Sequence, residues 1–341
     1  MRLAVNLGGR DWAETLTYVR EAERLGVAAA WSAEAWGTDA VTPLAWLAGQ
    51  TERILLGSGI MQISSRTPAM TAQTAMTMAQ LSGGRFLMGL GASGPQVVEG
   101  LHGQPFAHPL GRMRETIDIV RLAMSGARVE YHGRHFELPR PRGEGKALRL
   151  QIRAVDPVPI YIASLSPKML ELTGEVADGW LGTSFVPEGA AEFLRHIETG
   201  AKRAGRSLAA IDLSQGGDVA FGDDVEAMVA RRKPGLAFSL GGMGSATTNF
   251  YNDAYSRQGF AEVADAVRRL WVSGQRDRAA EAVPDEMVLA TTMIGTEQMV
   301  ADRMRAWRDA GITTLRVYPA GDNLEARLDT LGRAVDIARS L

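Results

Sequence analysis

The feature that most constrains the fold is an alternation of short apolar segments with helical segments, which occurs eight times along the chain. The apolar segments are partly β-branched, as expected of strands that are buried in a parallel sheet. They lie at residues 3–7, 28–32, 54–60, 86–90, 160–163, 180–182, 211–221 and 313–318. This pattern predicts one α/β domain over residues 1–341, a single (β/α)8 TIM barrel. A doubly wound sheet is the alternative, because strand order cannot be read from periodicity.

Two stretches interrupt the alternation and are predicted to be insertions. Residues 126–156 follow the fourth strand and begin with a hairpin-like segment at 131–136. Residues 235–290 follow the seventh strand and are mostly helical, with a glycine-rich break at Gly241–Gly244. Glycine hinges before aromatic residues suit a lid that closes over a site and excludes water. The alternative is an ordinary turn between two helices.

The stretch 157–185 shows the repeating unit most clearly. It runs from a strand through a helix that begins at Ser166 and Pro167, which suit the cap and the first helical position, to a strand that ends at Gly182-Thr183-Ser184. The free N–H groups at such a helix N-terminus favour a bound anion. A well-capped unit without a ligand is the alternative interpretation.

Composition excludes several classes of function. A net charge of −2 lacks the excess of basic residues that is typical of proteins that bind nucleic acids or membranes. The absence of cysteine excludes disulfides and thiol nucleophiles. No run approaches the roughly 20 apolar residues of a spanning helix, and no apolar signal segment precedes the first strand. We therefore expect a cytoplasmic protein without nucleic-acid or membrane partners.

In a barrel the active site lies at the carboxyl ends of the strands. The residues there are rich in glycine, serine and threonine, and Glu34 is the only carboxylate close to a strand end in the first half. The chain contains no nucleophile elbow, and its five histidines lack metal-ligand spacing, so no metal site is predicted. A site with so little acid–base equipment suits a cofactor that supplies the difficult chemistry itself.

Seven segments in order carry a resemblance to a known family. They are Trp31–Trp36, Leu56–Ile60, Arg66–Ala69, Leu81–Gly91, Pro159–Ala163, Ala177–Trp180 and Ala310–Leu315. On these segments the chain resembles the bacterial luciferase-like superfamily. Within it, the chain is similar to the coenzyme F420 (deazaflavin)-dependent oxidoreductases of the methylenetetrahydromethanopterin reductase type. The resemblance implies a TIM barrel, usually a homodimer, that transfers hydride between F420 and a small-molecule substrate.

The resemblance also implies the roles of particular residues. Glu34 matches a catalytic acidic residue near the deazaflavin ring, and Trp36 matches a wall of the substrate pocket. A cis peptide between non-proline residues is expected at Gly59–Ile60 or one residue on. The implied cofactor-binding residues are Ile60, Met61, Gly91, Ala92, Ser93, Gly94, Ala163, Ser164, Leu165, Ser166 and Thr183.

Several of these assignments have structural alternatives. Glu34 would otherwise be a salt-bridged structural acid, Trp36 a packed loop aromatic, and Ile60 and Met61 core residues. Arg66 would meet the acidic tail of the cofactor or hold its own loop through a salt bridge.

The chain departs from the sugar-phosphate dehydrogenases of the family, which carry a histidine where this sequence has Ala35. A reductase acting on an activated C=C or C=N bond is therefore expected, with the proton supplied by Glu34, a hydroxyl group or water. An FMN-dependent monooxygenase and a non-catalytic flavin-binding barrel are the alternatives.

Overall fold

The computed structural model describes residues 1–8, 11–152, 157–244 and 248–341. The strands and helices in these residues follow the predicted alternation closely. The strands are β1 Arg2–Asn6, β2 Ala29–Ser32, β3 Leu55–Ser58, β4 Met61–Gln62, β5 Phe86–Gly91, β6 Tyr131–His132, β7 Glu137–Leu138, β8 Ile160–Ala163, β9 Gly179–Leu181, β10 Asp212–Phe221, β11 Met293–Gly295 and β12 Thr314–Pro319. The α-helices are α1 Trp12–Arg24, α2 Val41–Ala48, α3 Pro68–Leu81, α4 Pro95–Val98, α5 Pro109–Met124, α6 Pro167–Val176, α7 Ala191–Arg203, α8 Val225–Ala230, α9 Lys233–Gly241, α10 Phe250–Tyr255, α11 Ala261–Val272, α12 Arg276–Glu281, α13 Asp285–Thr291, α14 Glu297–Asp309 and α15 Leu324–Ser340.

Within the described residues, eight parallel strands close a barrel. Along the chain, each barrel strand pairs with the barrel strand that follows it, in the order β1, β2, β3, β5, β8, β9, β10 and β12. The last barrel strand, β12, pairs with both β10 and β1 and completes the ring. The predicted (β/α)8 barrel is confirmed, and the doubly wound sheet is excluded because such a sheet has open edges.

Two aromatic residues fill the barrel interior, and glycines on neighbouring strands make room for them. Trp31 on β2 and Tyr161 on β8 meet edge to face, with ring centroids 5.2 Å apart. A Cβ atom added at Gly57 would stand 2.3 Å from Trp31, and one added at Gly179 would stand 2.1 Å from Tyr161. The interior is therefore a packed plug, and a ligand must bind above it at the open end.

The structure adds local detail to the predicted pattern. The third predicted strand divides, because its end forms a bulge between β3 and the short strand β4, which pairs with β5. The strand β11, which periodicity did not indicate, pairs with the far end of β10. Helices of the second insertion pack around an apolar cluster of their own.

The first insertion contains the expected hairpin, formed by β6 and β7. Its last residues, 153–156, lie outside the described part of the chain. None of the helices that the structure describes is long and apolar enough to cross a membrane.

Candidate active site

The mouth of the barrel, defined here as the carboxyl ends of its strands with the loops that follow them, holds every predicted site residue. Glu34 and Trp36 follow β2, Ile60 lies between β3 and β4, and Met61 begins β4. The remaining positions end or follow β5, β8 and β9. Parallel strands end on the same side of a sheet, so the fold brings together segments that are far apart in sequence.

The bulge after β3 carries the predicted cis peptide, which joins Gly59 and Ile60. Ile60 is half-buried, and its side chain lies over the backbone of Gly91, where an added Cβ would stand 2.7 Å from the Ile60 Cδ1. Met61 is 1% exposed and belongs to the main apolar core. Ile60 therefore offers an apolar surface at the mouth, whereas the Met61 side chain points into the protein.

Glu34 is held by an ion pair with Arg66 at the edge of the mouth. The Arg66 Nη1 and Nη2 atoms donate to Glu34 Oε1 and Oε2 at 2.5 and 2.7 Å. The backbone N–H groups of Ala40 and Gln62 each donate to the carboxylate at 3.1 Å. The side chain of Glu34 is only 9% exposed. This network ties the loop after β2 to the bulge, and it gives Arg66 the loop-holding role that was one of its two predicted alternatives.

The same contacts decide the charge of Glu34. Burial by itself raises the pKa of this carboxyl, but the hydrogen bonds from Arg66, Ala40 and Gln62 outweigh burial and hold the pKa below its usual value. A carboxylate that stays ionised at neutral pH is a poor proton donor. The geometry therefore supports an anchoring role for Glu34, and its catalytic role remains a prediction.

The turn after β5 approaches the bulge through its backbone. Ser93 has a φ of 59°, in the left-handed region that non-glycine residues seldom occupy. Gly94 then takes the cap position before the four-residue helix α4, which the sequence did not indicate. Ala92, Ser93 and Gly94 are half-buried and Gly91 is buried, so this turn offers little side-chain surface to a ligand.

The turn after β8 separates two serines that were predicted to act alike. Ser164 is buried, its hydroxyl oxygen lies 2.8 Å from that of Thr173, and its carbonyl accepts a hydrogen bond from the Trp180 indole at 2.9 Å. Ser166 occupies the cap position of α6, but its side chain makes no capping hydrogen bond. The Ser166 hydroxyl and the first N–H groups of α6 thus remain for a ligand, while Ser164 supports the turn.

Neighbouring residues complete this side of the mouth. The carbonyl of Leu165 accepts a hydrogen bond from Arg257 at 2.6 Å, so the second insertion contacts the α6 turn directly. Ala163 is half-buried and pairs with Gly91. Thr183 is exposed at the end of β9.

Trp36 is 66% exposed, which argues against its being a packed loop aromatic and leaves its ring available to a ligand. The predicted lid lies partly outside the described residues, because positions 245–247 are not described. Its flanks are anchored: the Asn249 side chain donates to the carbonyls of Ser239 and Leu240 at 3.2 and 3.0 Å. Closure of this segment remains a prediction.

Sequence reasoning missed two residues. Arg257 lies in the second insertion, and the composition of that insertion gave no signal that pointed to it. Arg316 lies on the inner face of β12 and is almost fully buried. A single arginine inside the apolar last strand was a visible signal, because a charge at a strand position that faces a barrel interior needs a partner.

Comparison with known proteins places this chain in a family. The model of the luciferase-like monooxygenase family matches residues 2–314. A Mycobacterium tuberculosis protein that carries the provisional name coenzyme F420-dependent oxidoreductase is 41% identical over 319 residues, which cover 91% of each chain. The 5,10-methylenetetrahydromethanopterin reductase of Archaeoglobus fulgidus is 28% identical over 320 residues, which cover 93% of each chain.

A solved structure supports the fold independently. The coenzyme F420 dependent tetrahydromethanopterin reductase of Methanopyrus kandleri superposes with a TM-score of 0.81 at 24% identity, over 98% of each chain. This similarity covers the whole barrel with its insertions. The chain therefore belongs to the luciferase-like monooxygenase family.

Proposed function

We propose that the protein is a coenzyme F420-dependent oxidoreductase that transfers hydride between the deazaflavin and a small organic substrate. The observation that carries the proposal is the half-buried apolar side chain of Ile60, which lies against Gly91 at the mouth of the barrel. The names of the M. tuberculosis and A. fulgidus relatives point to the same chemistry.

The residues at the mouth fit this cofactor. Ile60 gives a flat ring an apolar surface to lie on, and Gly91 leaves the approach beside it open. The Ser166 hydroxyl, which makes no capping bond, and the N–H groups at the start of α6 suit the phosphate of the tail. When bound, the deazaflavin supplies the two-electron hydride chemistry, and the protein has only to bind, orient and exclude water.

We infer reduction of an activated C=C or C=N bond as the direction of reaction. Ala35 is exposed where the sugar-phosphate dehydrogenases of the family carry a histidine, so no base stands at that position. Because the Glu34 carboxylate forms an ion pair with Arg66, the proton is expected from a hydroxyl group or from water. Trp36 would form one wall of the substrate pocket. A homodimer is proposed from the resemblance, and light scattering would test it.

The second candidate is an FMN-dependent monooxygenase, because the matching family is named for that activity. Titration with F420 and, in parallel, with FMN distinguishes the two, with cofactor or protein fluorescence as the signal. Micromolar binding of F420 and much weaker binding of FMN support the proposal. Tight binding of FMN with oxygen uptake would replace it with the monooxygenase, and binding without redox turnover would indicate a non-catalytic barrel.

A further inference from the structure

The barrel interior holds an arginine for which the described residues provide no carboxylate partner. Arg316 lies between Leu315 and Val317, which both pack in the main core outside the barrel, so its own side chain faces inward. It is 8% exposed. Within the described residues, its one hydrogen bond runs from Nη2 to the carbonyl of Gly182, directly after β9, and its Nε is buried without a partner. The guanidinium head therefore reaches the level of the mouth.

The aspartates on the inner face of β10 do not neutralise this charge. Asp212 pairs with Arg2 at 2.7 Å, at the closed end of the barrel, and Asp218 pairs with Arg232 at 3.1 Å. No acidic group in the described part of the chain forms an ion pair with Arg316. An arginine stays protonated in proteins, and a buried cation without a counter-charge is costly to a fold. A ligand that binds at the mouth would supply the missing counter-charge of Arg316.

Other polar atoms of the barrel interior are also unpaired. In the part of the chain that the structure describes, no hydrogen-bond partner reaches the buried atoms Trp31 Nε1, Ser214 Oγ and Asn6 Oδ1, on strands β2, β10 and β1. These strands and β12 are consecutive around the barrel. We call Asn6, Trp31, Ser214 and Arg316 the polar floor. Three of its four unpaired atoms, Trp31 Nε1, Ser214 Oγ and Arg316 Nε, are hydrogen-bond donors, so acceptor atoms would satisfy most of them.

The strands of the polar floor, β10, β12, β1 and β2, form the half of the barrel opposite β3, β5, β8 and β9, and the Arg316 guanidinium reaches across to the Gly182 carbonyl, beside the predicted cofactor position Thr183. A crevice of about 530 Å³ opens on the floor's side of the mouth, and Asn6 and Tyr318 are among the residues that line it. A ligand that enters from this crevice would meet Asn6 first among the floor residues. The F420 titration described below distinguishes a substrate from the cofactor as the ligand of Arg316.

We propose that the substrate carries a carboxylate and that Arg316 binds it. A guanidinium and a carboxylate match in charge and in geometry, because parallel N–H donors meet the two oxygens. This proposal deepens the proposed function, since it names the substrate class of the same site, but carboxylate binding itself does not require F420.

The test is calorimetric titration of the cofactor-free protein with acetate, crotonate, benzoate and cinnamate, each compared with its neutral amide at pH 7.5. We expect at least one carboxylate to bind about tenfold or more tightly than its amide. In Arg316→Gln that carboxylate should bind roughly 10- to 100-fold more weakly, as expected when a charged hydrogen-bond donor is lost. Arg316→Lys keeps the charge and should retain part of the affinity, which separates the charge effect from a folding defect.

Arg308→Gln is the matched control, because it removes one positive charge at the closed end of the barrel, beside Met1 and Arg2. It should leave carboxylate affinity unchanged. Equal binding of acids and amides by the natural protein, or unchanged carboxylate binding in Arg316→Gln, would overturn the proposal.

A parallel F420 titration of the same variants identifies which ligand Arg316 serves. If Arg316→Gln lowers F420 affinity and leaves carboxylate affinity intact, the cation serves the cofactor and the proposal is wrong. If the natural protein binds carboxylates but not F420, the proposed function fails while the anion site stands.

Discussion

Replacement of Glu34 by glutamine should destabilise the protein severely, although the two side chains have nearly the same shape. Each carboxylate oxygen accepts from two strong donors: Arg66 Nη1 and the Gln62 N–H on one, Arg66 Nη2 and the Ala40 N–H on the other. Glutamine must place its NH2 group on one of these two sides. A donor would then face two donors in either orientation, and Arg66 would lose its counter-charge.

The expected cost follows from these contacts. Hydrogen bonds to charged groups contribute about 1.5–3 kcal/mol each, and removing one partner of a buried ion pair costs about 3–5 kcal/mol. Arg66 retains 18% side-chain exposure, so water recovers part of the loss. We expect Glu34→Gln to lower the free energy of unfolding by about 3 kcal/mol, at the low end of the range for buried pairs.

Urea denaturation followed by tryptophan fluorescence measures this change. Glu21→Gln is the matched control, because Glu21 forms an exposed ion pair with Arg24 at 2.7 Å. That control should cost less than about 0.5 kcal/mol. The double variant Glu34→Gln/Arg66→Gln should cost less than the sum of the single changes, since the pair is coupled. A cost below about 1 kcal/mol for Glu34→Gln is less than a buried ion pair should contribute, and it would refute the role of the Glu34–Arg66 pair in stability.

The ion pair between Glu34 and Arg66 also predicts how the stability of the protein falls at acidic pH. The folded-state pKa of Glu34 lies below its usual value of 4.5. Its contribution is therefore fully present above that pH and is lost as the pH falls through the folded-state pKa. Unfolding measured from pH 7 to pH 3 should show a shallower loss of stability in Glu34→Gln than in the natural protein. If the stability of the two proteins falls in parallel with pH, the lowered pKa of Glu34 is wrong.

Three further substitutions test the plug and the predicted cofactor site. Gly57→Ala places a Cβ 2.3 Å from Trp31 and should lower the free energy of unfolding by about 1–3 kcal/mol in urea denaturation, as for overpacked cores. Gly91→Ala directs its Cβ at Ile60 and should weaken F420 binding at least tenfold by fluorescence titration, whereas unchanged affinity would remove this turn from the site. Ser166→Ala loses no capping bond and should leave the melting temperature within about 1 °C while F420 affinity falls; a loss of stability alone would show that this serine is only structural.

Much of the architecture was predictable because it depends on local signals. The helix α3 spans the predicted residues 68–81, since Thr67 caps it, Pro68 suits its first turn and Gly83-Gly84 stop it. The eight barrel strands were visible as short apolar runs. The strand β11 was not, because three residues give no measurable period and only pairing with β10 makes them a strand.

The site was predictable in position but not in chemistry. The cis peptide at Gly59–Ile60 was implied by the family resemblance, whereas the convergence of the strand ends follows from the barrel that the sequence pattern indicates. The family resemblance assigned Ser164 and Ser166 the same cofactor-binding role, yet Ser164 is held by internal hydrogen bonds, to residues 9 and 16 positions away. The difference depends on partners that α6 and β9 supply after folding.

The sequence by itself determined the class of fold, the order of its elements and the end of the barrel where ligands bind. Periodicity, caps and turn residues act over a few positions, so they can be read before the chain is folded. Only the tertiary structure decided the charges at the mouth. Glu34 became an anchored anion because Arg66, 32 positions away, reaches it. Arg316 has no ion pair among the described residues because the aspartates of β10 are held by other arginines. Ion pairing depends on distances between remote residues, which local sequence does not encode.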